Sequence, residues 1–216
     1  MAKSYWWMGK RHRVLCYSTD GTLVSKAGSY GKGKLQFNDP VGIAVAPSGQ
    51  VLVCDRRNHR IQVLTPDLQF MRQIGDLGDD VSGPGLYLPW DVACDSKGDV
   101  YVADCGHCCV KVFSSKGQFL RAIGGEGNQR GQFKHISSIC IDSNDYLYAL
   151  DKERACVSVF NPRGDLKMQF GTIGAADGQF FKPLGIAVDR NGRVYVTDGE
   201  SSVWPTQEEG RVQVFE

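Results

Sequence analysis

The chain has 216 residues, 42% of them hydrophobic, and a formal net charge of +1. A chain of this length buries roughly 70% of the surface that it exposes when unfolded, while near-neutrality excludes a domain-wide attraction to nucleic acid. No apolar run approaches the about 18 residues of a membrane helix, and the opening residues MAKSYWWMGK lack the apolar centre of a signal peptide.

In chain order, residues 1–12 form a degenerate N-terminal segment, in which Trp6 and Trp7 are compatible with a decayed strand. Residues 13–28 carry two strand signals around Asp20-Gly21, the third and fourth strands of a four-strand unit. The full unit is clearest next, over about 35–75. A nearly continuous apolar run, Val41 to Val45, is followed by a turn at Pro47 to Gly49 and a second strand ending in Asp55. Asn58-His59-Arg60 then leads into a third strand and Phe70 to Ile74 into a fourth. The unit returns over about 85–124 and 132–171, and three of its strands recur over 179–216. Its landmark aspartates Asp55, Asp104, Asp151 and Asp198 stand 49, 47 and 47 residues apart. Asn-Gly and Asp-Gly pairs supply the positive φ of tight hairpins. Four short antiparallel strands per period of this length are the signature of a propeller blade, so the expected fold is an all-β propeller in one domain. A half blade, three whole blades and a partial one make an incomplete ring whose exposed blade faces and edges invite further blades or self-association.

The phrase Gly-x-Phe-x-x-Pro-x-Gly-Ile-Ala-Val, then Val-x-Val-x-Asp, then Asn-His-Arg-Ile-Gln-Val closely resembles the NHL repeat, and the resemblance covers residues 13–216. Members form six-bladed β-propellers, most prominently at the C-terminus of tripartite-motif ubiquitin ligases. There the propeller recognises RNA or partner proteins, and a separate RING domain performs the ubiquitin chemistry. The resemblance therefore implies the recognition half of such a protein, with about four of six blades and without the catalytic half.

No nucleophile–base pair or zinc-protease motif is present, and Gly124 to Gly131 lacks the Lys-Ser/Thr pair and βαβ setting of a phosphate loop. The chain itself reads as non-enzymatic, with no cofactor and no metal site. Cys16, Cys54, Cys94 and Cys140 fall at strand positions where other copies carry aliphatic residues, and buried Cys behaves as a small hydrophobe. Cys105, His107, Cys108 and Cys109 have the spacing of half a zinc site without a second half. Free thiols and the absence of any glycosylation sequon agree with a reducing, cytoplasmic location.

The repeated aspartates read as structural, accepting backbone N–H groups at a bend and, for Asp55, pairing with Arg60. The competing reading is a calcium-binding carboxylate ring of a hydrolase-type propeller. Alternating strand directions put the loops between second and third strands on one face with the inter-blade connectors. At the N-terminal end that face is basic, with Lys10, Arg11, Arg13, Lys32 and Lys34, then Arg56, Arg57, His59 and Arg60. Tyr30 adds an aromatic surface for stacking, and Lys152 and Arg154 flank Glu153 further on. Asp76, Asp79, Asp80, Glu200, Glu208 and Glu209 make the later part acidic. These residues are candidates for binding RNA or a partner protein; the alternative is a protein–protein scaffold that binds no RNA.

Overall fold

The computed structural model describes residues 3–8, 11–199 and 210–216. Five antiparallel sheets follow one another along the chain as propeller blades. Blade 1 has three strands, Lys3–Met8, Arg13–Ser18 and Leu23–Ala27. Blades 2, 3 and 4 each have four, beginning at Pro40–Val45, Pro89–Cys94 and Ile136–Ile141. Blade 5 has three described strands, Pro183–Val188, Val194–Asp198 and Arg211–Phe215. The first sheet thus holds one strand more than its two-strand motif. Trp6 pairs with Leu15, and Met8 occupies the position where other blades have Asp, so the landmark that marks a second strand is lost there.

Blades pack face to face, and the first strands of blades 2 to 5 lie side by side. The second strand of an interior blade is covered on both sides, as its continuous apolar sequence requires. Val51 and Val53 face blade 1, whereas Leu52 and Cys54 face blade 3, and all four are buried. Each of the four interfaces receives one apolar residue from the connector that crosses it: Phe37, Leu86, Phe133 and Phe180, all fully buried. The outward sides of blades 1 and 5 carry exposed apolar residues, Trp6 in one and Val212 and Val214 in the other. No helix among the described residues is long and apolar enough to cross a membrane.

One irregularity repeats and matters for the face described below. In blades 2 to 5 the pairing of first and second strands slips after the opening residue, between Pro40 and Ile43, Pro89 and Asp91, Ile136 and Ser138, and Pro183 and Gly185. Proline, which has no N–H to give the ladder, opens three of these strands, but Ile136 opens the fourth with the same slip, and in each the bulge re-aims the residue that follows. In blade 3 that residue is Trp90.

Candidate recognition face

The second-to-third-strand loops and the inter-blade connectors are joined by backbone hydrogen bonds at all four junctions. Arg57 N donates to Asn38 O (3.0 Å), Gly106 N to Tyr87 O (2.8 Å), Lys152 N to His135 O (3.0 Å) and Gly199 N to Lys182 O (3.4 Å). The loops and connectors therefore share a face. Lys10, Glu200, Glu208 and Glu209 lie outside the described residues.

The repeated aspartates hold each junction from below and are almost completely buried. Asp55 accepts the amide of Asn38 (2.7 Å), Asp104 that of Tyr87 (2.7 Å), Asp151 that of Lys134 (2.6 Å) and Asp198 that of Phe181 (2.9 Å). Their second partners differ. Arg60 pairs with Asp55 at 2.9 Å, His107 and Lys111 with Asp104 at 2.7 and 3.4 Å, and Arg211 with Asp198 at 3.2 Å. Asp151 has backbone amides instead, those of His135, Glu153 and Arg154. Among the described residues, no group of three or more His, Cys, Asp or Glu is arranged to hold a metal ion.

Several cations on this face are committed to the connectors. Arg60 is buried and donates to the carbonyls of Gly33 (2.8 Å) and Gln36 (3.0 Å). Lys111, fully buried, donates to those of Asp80 and Gly83. Arg154 donates to Asn128 O (2.9 Å), Gln129 O (3.0 Å) and Gln132 O. These carbonyls hold both guanidinium groups against the connectors, so Arg60 and Arg154 are set apart from the open patch. Arg56 is drawn inward as well: it pairs with Asp39 and lies over the Trp90 ring at 4.6 Å.

What stays open to solvent is a smaller patch over blades 1 and 2. Arg11, Arg13, Lys32, Lys34 and Arg57 are exposed, with Arg57 3.5 Å from Asp39. Tyr30 is 68% exposed and meets His12 edge-on at 5.0 Å. Asp76, Asp79 and Asp80 are exposed on the next connector, so charge changes sign along the face.

Two aromatic clusters here have no counterpart in the sequence expectations. His59 stacks on Tyr87 at 5.4 Å, and Tyr87 is also 5.9 Å from His107. Trp90 collects Arg56 from blade 2, Lys152 from blade 4 at 5.3 Å and His135 edge-on at 5.1 Å. Arg56 Nε and His135 Nε2 are buried without a hydrogen-bond partner, and the Trp90 π face is the electron-rich surface beside both. The signal for Trp90 was its place in the repeat, where other blades carry Val41, Ser137 and Leu184. Burial lowers the basicity of His59 and of His135, the latter with help from Lys152. Burial pushes the Cys105 thiol up to about 11 and those of Cys94, Cys109 and Cys140 up to about 12, so these thiols are protonated at neutral pH and are weak nucleophiles.

The family model described as NHL repeat matches residues 37–64, 86–113 and 180–202, the segments that build blades 2, 3 and 5 with their connectors. The chain carries NHL repeats on a β-propeller fold. It is 33% identical over 101 residues to Protein brain tumor of Drosophila melanogaster, covering 46% of this chain and 10% of that protein. It is also 33% identical over 121 residues to human NHL repeat-containing protein 3, covering 51% of this chain and 34% of the relative. The chain thus spans about a third or less of either relative's length. A virginiamycin B lyase from Staphylococcus aureus superposes with a TM-score of 0.68 at 13% identity, over 91% of this chain and 59% of that one. At that identity the likeness establishes the propeller fold alone.

Proposed function

We propose that this NHL propeller is a non-catalytic recognition module that binds single-stranded RNA through the basic patch on blades 1 and 2. The observation that carries the reading is the exposed set Lys32, Lys34 and Arg57, which shares the loop face with the solvent-facing ring of Tyr30. Cations neutralise phosphates and position the strand, while an aromatic ring stacks on a base. The aspartates, each buried within its own junction, do not support a carboxylate ring for a hydrolytic calcium ion. The resemblance to tripartite-motif proteins supports, as part of this reading, a role in ubiquitin ligation or post-transcriptional regulation in the cytoplasm. The outward apolar faces of blades 1 and 5 suit further blades or a second copy. Sedimentation of the 216-residue chain alone is expected to show self-association, and a strictly monomeric chain would count against it.

Filter binding of pooled single-stranded RNA at several salt concentrations tests the main reading. Each phosphate neutralised contributes about −0.7 to the slope of log affinity against log salt. Reversing Lys32, Lys34 and Arg57 together to Glu should flatten that slope by about two units. Tyr30→Ala should cost about 1–3 kcal/mol with the slope little changed. Arg154→Ala, whose guanidinium serves the Asn128–Gln132 connector, should leave the slope unchanged. A second reading is favoured by the reversal of charge from the Lys32–Lys34 patch to Asp76, Asp79 and Asp80, which would orient a protein partner. Absence of RNA binding at low salt would overturn the first reading and leave the second.

A further inference from the structure

His12 and His59 occupy the same place in successive blades, each in the left-handed region with φ of 51° and 56°. Cys108 and Ala155 occupy it in the next two, at 51° and 50°. The two histidines do something that the other two residues do not. His59 Nδ1 accepts the amide N–H of Leu88 at 3.2 Å, and His12 Nδ1 accepts that of Asp39 at 3.3 Å. A backbone N–H can only donate, so Nδ1 must carry a lone pair and the imidazole must be neutral, with its proton on Nε2.

The connectors answer to this difference. Leu88 and Asp39 have left-handed backbones, φ 53° and 57°, a conformation costly for any residue with a Cβ and especially for leucine. At the corresponding points of the next two junctions stand His135 and Lys182, and neither has a positive φ. Their amides donate instead to the repeat aspartates, His135 N to Asp151 (3.2 Å) and Lys182 N to Asp198 (2.8 Å). One molecule therefore shows both states of the same connector residue: left-handed with its amide on a neutral imidazole, or relaxed with its amide on a carboxylate.

We propose that His59 is a proton-operated latch on the connector between blades 2 and 3. Neutral His59 holds Leu88 in the left-handed state. When Nδ1 takes a proton it becomes a donor facing a donor, the bond is lost, and the Leu88 amide passes to Asp104, the acceptor that already holds Tyr87 N. Tyr87 and Leu88 are adjacent, and Tyr87 stacks on His59, so the opening reshapes the aromatic part of the loop face and adds a positive charge there. His12 and Asp39 repeat the same hydrogen bond between blades 1 and 2. The inference does not depend on what the face binds.

The charged groups around His59 set the window. Asp55 of its own blade and Asp104 of blade 3 favour the imidazolium, Lys32 of the preceding connector opposes it, and burial opposes it most. Arg57 and Arg60 adjoin it in the loop, and His107 lies on the far side of Tyr87. The balance depresses the folded-state pKa below the ordinary 6.5. A depressed histidine contributes stability that is complete above its unfolded value and is lost as pH falls towards its folded one, so the latch opens on acidification below 6.5.

Nitrogen-15 NMR of the whole chain between pH 8 and 5 tests this. At pH 8 the His59 ring should be the Nε2-protonated tautomer. The Leu88 amide shift should titrate with the same midpoint as the ring, and its exchange protection, corrected for intrinsic rates, should fall about tenfold. The His135 amide, held by Asp151, should lose no protection. His59→Asn, which tolerates the left-handed backbone and offers a carboxamide oxygen, should keep the Leu88 protection and remove its pH dependence. Leu88→Gly makes the left-handed state free of cost, favouring the closed latch about fivefold or more and lowering the midpoint. An Nδ1-protonated ring at pH 8, or a Leu88 amide unresponsive through the His59 titration, would overturn the proposal.

Discussion

Asp104→Ala is expected to destabilise the chain by about 3–5 kcal/mol, the range for removing one partner of a buried ion pair. Asp104 is fully buried, accepts from Tyr87 N and His107 Nδ1, and forms an ion pair with Lys111 Nζ at 3.4 Å. Without it, the fully buried Lys111 ammonium keeps only connector carbonyls as partners. Asp151→Ala should cost less, about 1–3 kcal/mol, because Asp151 accepts only backbone amides and leaves no buried charge behind. Urea unfolding of the two variants checks the ranking; an equal or smaller loss for Asp104→Ala would show that Lys111 does not depend on the carboxylate. Replacing both members, Asp104→Leu with Lys111→Met, should recover much of the loss, since an apolar pair carries no desolvation penalty. Calcium should leave the melting temperature of the unaltered chain unchanged. A rise of several degrees would mean that the aspartates hold an ion, and the structural role given to them would fall.

The aspartate series also shows how far the sequence reaches. Its period, the glycine turns such as Pro47 to Gly49, Lys97-Gly98 and Lys116-Gly117, and the apolar second strands all follow from local chemistry, so blades 2 to 4 are legible residue by residue. An Asp-to-Arg pair such as Asp55 and Arg60 is legible too, because facing residues of a tight hairpin must meet. The main partners of the aspartates are not. Each is a connector amide 17 residues upstream, brought back by the crossing between blades. For the same reason Arg154 looks like a free loop cation in the sequence, and the connector partners of Arg60 stay hidden beside its legible pairing with Asp55, since nothing local reveals that connector carbonyls curl around both. Trp90 is hidden differently. Read as part of an alternating strand it would point into a blade face, and only the slipped register after Pro89 turns it to the loop face. Blade 1 reads as only half a blade with a decayed strand at Trp6 and Trp7, because Met8 stands where the motif has Asp, although the pairing of Lys3–Met8 with Arg13–Ser18 is as regular as in any other blade.

Gly42 and Gly185 are the same landmark of the repeat, yet their substitution should have very different effects. A Cβ on Gly42 would stand 2.7 Å from Asp91 Cα and 2.9 Å from Trp90 O, backbone atoms of the first strand of blade 3. Neither can move without parting two blades. A Cβ on Gly185 would meet only the Thr197 hydroxyl, at 3.1 Å, a side-chain atom that can turn away. Neither glycine has a positive φ, so backbone conformation does not enter and the contrast is one of packing. Overpacking a filled interior costs about 1–3 kcal/mol and occasionally more. Gly42→Ala should fall at the top of that range and Gly42→Val beyond it, while Gly185→Ala should stay within about 1 kcal/mol. The reason for the close approach lies in Asp91, which holds the place of Gly42 one blade later. Its carboxylate reaches across to Ser138 Oγ (2.9 Å) and Ile139 N (3.0 Å) of blade 4, and burial raises its pKa. Blades 3 and 4 are thus joined by a side chain where blades 2 and 3 are joined by bare backbone contact. Hydrogen exchange should accordingly show Gly42→Val loosening the first strands of blades 2 and 3 while the Ser138 and Ile139 amides keep their protection. Equal losses of stability for Gly42→Ala and Gly185→Ala would mean that the inner strands can separate freely, and that close packing at Gly42 does not hold the second and third blades together.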